Sequence, residues 1–390
     1  MNCFSNTSRK FLVSKTTMLH KLILLFLLLF ALVIPLYAEQ EKRNFYIEPR
    51  LTTWGLYTDF CFRLNRGLFE TTDTILRLNI GSVINWSGGY YRDEDDRYTD
   101  SSDLDYLYTR LDTTWGLGIE QGLIWNEEAD KNLMLLSLRY RTMRVWHFNI
   151  CNQDSILFDS IRPDKDGVLY NTFIISLLID NAFFSRETGL RKGVLAELSA
   201  ELGPEWFFND IIGIADFTKI FANLRSFYPL YEAEHGKKLV TAVYFANSIG
   251  IDYVFGDNIP LPARQTFGVQ RVSGGCGGRV RGFEDRRFDS EVKAINNFDI
   301  RLRMSQIRSS SGKKILHPGL LVFFDACYFE KLEGYKENGS GTIMSAGFAL
   351  FSDFFSFGAG TGVLTVGFPL VGERIDKSPM TIKLDYGFRF

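Results

Sequence analysis

The residues best equipped for chemistry lie in one glycine-rich stretch, Phe267-Gly268-Val269-Gln270-Arg271-Val272-Ser273-Gly274-Gly275-Cys276-Gly277-Gly278-Arg279-Val280-Arg281-Gly282-Phe283. Its glycines permit backbone shapes with positive φ and close approach to other chain segments. Its arginines carry planar guanidinium groups that donate several hydrogen bonds at once to carboxylates. The glycine spacing matches neither a P-loop nor a dinucleotide fingerprint, and the flanks do not read as strand then helix, so nucleotide binding is set aside. Taken alone, Arg281 also reads as a solvated loop arginine making a weak surface pair. Other chemistries lack an anchor. There is no Gly-x-Ser-x-Gly nucleophile elbow. His20, His147, His235 and His317 are scattered without a zinc-binding pair, and the last three are expected at turns or near aromatic rims. The run Asp93-Glu94-Asp95-Asp96-Arg97 has no EF-hand spacing and reads as a solvated loop. The expectation is a protein that is not an enzyme and needs no metal or cofactor.

The elements that must position these residues alternate with period two, the mark of strands with one apolar and one polar face. Phe298, Ile300, Leu302 and Met304 share one face, and Asn297, Asp299, Arg301, Arg303 and Ser305 share the other. Leu76, Leu78 and Ile80 alternate with Arg77 and Asn79; Phe60, Phe62 and Leu64 alternate with Cys61, Arg63 and Asn65. The last ten residues place Ile382, Leu384, Tyr386, Phe388 and Phe390 on one face. A soluble domain rarely ends on so aromatic a strand, because chain ends fray. A barrel in lipid can, since its last strand pairs with its first and its apolar face meets hydrocarbon.

The totals point the same way. Aromatic residues are 15% of the chain, with 35 Phe and 17 Tyr, while mean hydropathy sits near zero. Girdles of aromatics outside a polar lumen produce that mixture. A net charge of −2 and the absence of a long basic run argue against nucleic-acid binding. At the amino terminus, Arg9, Lys10, Lys15 and Lys21 precede an apolar run from Leu22 to Ile34 and then Pro35-Leu36-Tyr37-Ala38. This is the pattern of a secretory signal peptide over residues 1–38, complete also from Met18. Residues 39–390 then form the barrel domain, with no room for a periplasmic domain ahead of the first strand-like run near 44–51. At roughly 22 residues per strand with its share of loops, about 16 strands are expected. Polar, turn-rich stretches at 92–102, 154–167, 256–290 and 331–340 read as outer loops. Five strands are expected after the glycine-rich loop, near 293–305, 317–329, 342–355, 361–369 and 380–390.

The pair Gly274-Gly275 followed by Val280-Arg281-Gly282-Phe283, joined to Asp299 and to Phe323-Phe324-Asp325-Ala326-Cys327, resembles the barrel of the bacterial surface antigen superfamily. That superfamily groups outer-membrane assembly insertases with two-partner-secretion transporters. Tyr228-Pro229-Leu230 and the approach from Pro260 to Phe267 fit the same pattern. The resemblance covers about the last 180 residues well, and the first half only as generic barrel strands. Cys327 stands where the family usually has Gly. The resemblance implies an all-β fold: a transmembrane antiparallel β-barrel of 16 strands with a lid loop folded into the lumen, where Arg281 meets Asp299 and Asp325. Phe283 is expected beside the arginine, the alternative being an aromatic at the outer girdle. Tyr386, Phe388 and Phe390 resemble the C-terminal signal by which such barrels are recognised for assembly.

The implied location is the bacterial outer membrane. The implied partners are outer-membrane lipid, the barrel-assembly machinery for the chain's own insertion, and a polypeptide client or periplasmic partner, with no nucleic acid. Relatives normally carry polypeptide-transport-associated domains, which are not expected here. A passive porin-like channel and a structural surface antigen remain as alternatives to aiding polypeptide insertion or passage. If the lid is clasped, Cys276 and Cys327 are candidates to pair, since an exported chain can oxidise its thiols.

Overall fold

The computed structural model describes residues 45–52, 55–64, 72–92, 97–99, 104–127, 131–149, 155–184, 191–235, 238–269, 279–283, 289–332, 339–354, 360–372 and 379–386. Strands dominate: β1 (Phe45–Thr52), β2 (Gly55–Leu64), β3 (Thr74–Gly89), β4 (Leu107–Asn126), β5 (Lys131–Phe148), β6 (Gly167–Asp180), β7 (Phe183–Phe184), β8 (Arg191–Gly203), β9 (Asp216–His235), β10 (Lys238–Asn258), β11 (Val292–Arg303), β12 (Ile307–Arg308), β13 (Lys314–Glu330), β14 (Gly341–Phe354), β15 (Gly360–Val371) and β16 (Thr381–Tyr386). Two short helices, α1 (Ile156–Asp159) and α2 (Leu261–Gln265), lie in connections. Among the described residues no helix is long and apolar enough to cross a membrane. The signal peptide expected over residues 1–38 lies outside the described residues.

All pairings in the sheet are antiparallel, and each long strand lies beside the next in sequence. Fourteen strands follow in that order, with the two-residue β7 and β12 beside it on β8 and β13. The expected sixteen spanning strands are thus fourteen long ones among the described residues. The difference has a physical source: β4, β9 and β10 run to 20 or 21 residues, and the long β10–β11 connection consumes chain that an average per strand would give to strands. The five strands expected after the glycine-rich loop are β11, β13, β14, β15 and β16. The sheet curls until Cα atoms of β1 and β16 come within 8 Å, although no ladder joins those strands among the described residues.

The two faces have opposite chemistry. Phe62, Leu76, Ile80, Phe298, Ile300 and Met304 are exposed, while their alternating neighbours Cys61, Arg77, Asn297, Asp299, Arg301 and Arg303 are buried. The pattern continues into β16, where Leu384 is 75% exposed. An ordinary soluble sheet does the reverse and hides its apolar face. A sheet curled around a polar interior and facing hydrocarbon outside gives this arrangement. The side chain of Tyr386 and the whole of Phe388 and Phe390 lie outside the described residues, so the terminal aromatic signal is tested only through Ile382 and Leu384.

Because successive strands are antiparallel, the β3–β4, β5–β6, β8–β9, β10–β11, β13–β14 and β15–β16 connections all emerge at one end of the sheet. All four stretches read as outer loops fall at that end. There α1 and α2 pack Leu157 and Leu261 with Tyr90 and Tyr108 in one buried cluster, so these connections form a cap rather than separate solvated loops.

Candidate functional site

The site is made where the trailing part of the β10–β11 connection, residues 279–283, crosses the inner face of β11 to β16. Strict alternation puts Asp299 of β11 and Asp325 of β13 on that face, and the register pairs Asp299 with Phe323 and Asn297 with Asp325. The two carboxylates therefore sit on diagonal positions of neighbouring strands, both fully buried. Arg281 enters between them. Its Nε donates to Asp325 Oδ2 at 2.8 Å and a terminal nitrogen to Asp325 Oδ1 at 2.7 Å, a two-point guanidinium–carboxylate pair. The same side chain donates to Asp299 Oδ1, and the Arg281 backbone N–H donates to Asp325 Oδ2 at 2.9 Å. The guanidinium carbon lies 4.0 Å from the centroid of the Phe323 ring, which stacks beneath it.

Arg301 completes the charge balance. It lies two residues from Asp299 on the same face and donates to Asp299 Oδ2 through Nε at 3.0 Å and a terminal nitrogen at 2.6 Å. Two guanidinium groups thus face two carboxylates, which spares either carboxylate the cost of being buried as an unpaired charge. Asn297 Nδ2 donates to the Arg279 carbonyl at 2.6 Å and fixes the approach of the loop.

Gly282 has φ of +120°, a conformation that L side chains rarely adopt, and a Cβ there would stand 2.9 Å from Ser345 Cβ. Opposite, a Cβ on Gly367 of β15 would lie 2.6 Å from Gly282 N. Loop and wall touch backbone to backbone because both positions are glycine. Phe283 is fully buried inside the sheet and not at an outer girdle, and its carbonyl accepts from Lys383 Nζ of β16 at 2.8 Å. Val280 and Phe283 pack in one apolar cluster with Phe221, Ile295, Cys327, Phe329 and Ile343. An apolar belt on the inner face thus seats the loop beside the charged pair.

The leading part of the connection has its own tie, which sequence reasoning missed. Lys219 of β9 and Lys293 of β11 flank Asp252 of β10, at 3.0 and 3.8 Å. Lys219 Nζ donates to the Thr266 carbonyl at 3.0 Å, Lys293 Nζ donates to the Arg264 carbonyl at 2.6 Å, and Asp252 Oδ2 accepts from Gly268 N–H at 2.6 Å. The signal was available: three charged residues at inward positions of strands flanking the glycine-rich loop. A second missed group lies in the cap, where Arg92 donates to Asp289 at 2.6 Å, and Asp164 accepts from Arg162 at 2.9 Å and from the Leu261 N–H. Burial pushes the Asp289 carboxyl up, but Arg92, Arg162 and Arg264 outweigh it and hold its pKa below the ordinary value.

The structure brings Val280, Arg281, Gly282, Phe283, Asp299 and Asp325 together. Gly274, Gly275 and Cys276 lie outside the described residues, and with them the candidate Cys276–Cys327 pairing; Cys327 itself is buried on the inner face. Asp93 to Asp96 also lie outside them. His147 sits at the end of β5, its ring 4.8 Å from that of Tyr108, and His235 ends β9. His317 departs from expectation: it is fully buried within β13, where its carbonyl accepts from Arg303 at 3.0 Å, because its parity in the strand turns it inward. Among the described residues no group of three or more His, Cys, Asp or Glu is placed to hold a metal.

No family model matches the chain, and no curated protein matches it in sequence. Among solved structures it is similar in shape to BamA from Haemophilus ducreyi lacking POTRA domains 1–3. That match has 14% sequence identity and a TM-score of 0.49, and covers 88% of this chain and 63% of the other. The chain thus spans less than two thirds of that structure's length.

Proposed function

We propose that this protein is an outer-membrane β-barrel that aids the insertion of polypeptides into, or their passage across, the outer membrane, and that it is not an enzyme. The observation that carries the reading is the inward seat of Arg281 on Asp299 and Asp325. A loop tied across the interior by charges at both its arms suits a barrel that must stay shut until a client displaces the loop. A barrel plugged by a tied loop differs from the water-filled lumen of an open porin. The secretory pattern of residues 1–38, the outward apolar face and the superfamily resemblance of the loop and terminal strand support the location. Outer-membrane lipid, the machinery that inserts barrels, and a polypeptide client or periplasmic partner are the partners this reading requires.

Recordings in planar bilayers test it. Small fluctuating currents that increase on deleting residues 274–289 are expected; large steady openings in the intact chain would make it a porin. Depleting the protein and surveying the outer-membrane proteome separates an assembly role from a structural surface antigen, since an antigen leaves other barrels unchanged.

A further inference from the structure

The β8–β9 connection lies against the outer face of the wall, where a solvated loop has no reason to be. Pairing of β6 with β8 stops at Phe173–Leu202, so the upper edge of β6 would be left open. The connection fills that edge. Leu169 N–H donates to the Ile212 carbonyl at 2.8 Å. The side-chain amide of Asn209 acts as a substitute strand: Oδ1 accepts from Asn171 N–H at 2.6 Å and Nδ2 donates to the Asn171 carbonyl at 3.1 Å.

The same segment covers polar groups on the outer face. Asn171 shares its face with the exposed Phe173 and Ile175, and its Oδ1 accepts from Thr142 Oγ1 at 2.7 Å and from Tyr140 Oη at 2.8 Å. Its Nδ2 donates to the Phe207 carbonyl at 3.1 Å. The Phe207 ring lies over this group, 4.6 Å from Phe173 and 5.7 Å from Tyr140 between centroids. Beyond it, Trp206, Phe208 and Ile211 point away from the wall and are 78%, 64% and 62% exposed. Phe208 has φ of +61°, an unusual backbone for an aromatic residue, whose cost the turn sustains while its ring stays outside.

Hydrogen bonds satisfied beneath and apolar side chains presented above are what a segment needs to lie in hydrocarbon. The patch is continuous with the outward apolar belt of β4 to β6, where Trp115, Leu117, Leu138 and Phe173 are exposed. We infer that residues 204–213 form a lipid wedge, seated in the acyl chains of the outer leaflet just below the headgroups, with Trp206, Phe208 and Ile211 as its contacts. This rests on the membrane reading above. The wedge seals the notch where β8 ends and holds that part of the rim at a fixed depth, since tryptophan favours the boundary between hydrocarbon and headgroup.

The test uses the full mature chain in phosphatidylcholine vesicles whose acyl chains are brominated near the headgroup end. The emission of Trp206 is taken as the difference between the wild type and Trp206→Phe, a change at an exposed position. That of Trp115, on the wall itself, is taken from Trp115→Phe in the same way. The wedge predicts that the Trp206 signal loses most of its intensity to brominated lipid and little to aqueous iodide, as the Trp115 signal also does. A Trp206 signal quenched by iodide and untouched by brominated lipid, with Trp115 in lipid, overturns the wedge and leaves the barrel standing. Both signals quenched only by iodide overturn the wedge together with the membrane reading.

Discussion

Among single residues, the loop is held by one guanidinium set between two carboxylates and an aromatic ring. Removing Arg281 leaves Asp299 with Arg301 but strands Asp325 as a buried charge without its two-point partner. Breaking a buried pair on one side costs about 3–5 kcal/mol. Arg281→Ala should therefore lower the temperature at which the folded form is lost in detergent, read as a shift in gel mobility. Arg281→Lys should recover only part of it, because an ammonium keeps the charge but not the planar fork. An unchanged transition in both variants would mean that the contact carries no weight. Arg281, Asp299 and Asp325 were legible because alternation fixes which strand residues face inward and the motif fixes which loop residue meets them. Arg301 was legible as an inward residue but not as the second donor to Asp299, because a two-residue spacing on one strand does not reveal where a long side chain folds. Phe323 and Gly367 were not legible as the floor under the loop, since only the register of β13, β14 and β15 brings them side by side.

At the scale of elements, strand positions could be read from period-two alternation, and the five strands after the loop fall where that rhythm puts them. The connections could not be read so well. Their residues look polar and turn-rich, yet several pack into a cap stitched by Arg92–Asp289 and by Asp164 accepting from the Leu261 N–H, because these groups find partners far away in the chain. Sequence spacing carries no trace of a contact between residues 197 positions apart. This cap has a pH signature. The folded pKa of Asp289 lies below its ordinary 3.8, so its ion pairs contribute stability that is complete above that value and is lost as pH falls through the folded pKa. The thermal stability difference between the wild type and Asp289→Asn should be full at neutral pH and vanish in that acid window. A difference that grows on acidification would reverse the assignment.

At the scale of the whole molecule, the distribution of side chains is turned inside out relative to a soluble sheet: charge lies within and Leu, Ile and Phe without. That inversion was the most legible property of the sequence, since it needs only parity and composition. The number of strands was less legible, because it depends on strand length, which alternation marks poorly at its ends. On the proposed reading, the tied loop and the cap cover a charged interior, and the outer segment at 204–213 continues the apolar outer face. The most direct test is flotation of refolded residues 39–390 with lipid vesicles after an alkaline wash, beside Leu198→Arg. That position is on the outer face, where an arginine at mid-depth costs roughly 2–4 kcal/mol in lipid and nothing comparable in water. The wild type is expected to stay with the vesicles and the variant to insert poorly. A wild-type chain that remains a soluble, folded monomer in buffer without detergent, with the variant behaving identically, would contradict it.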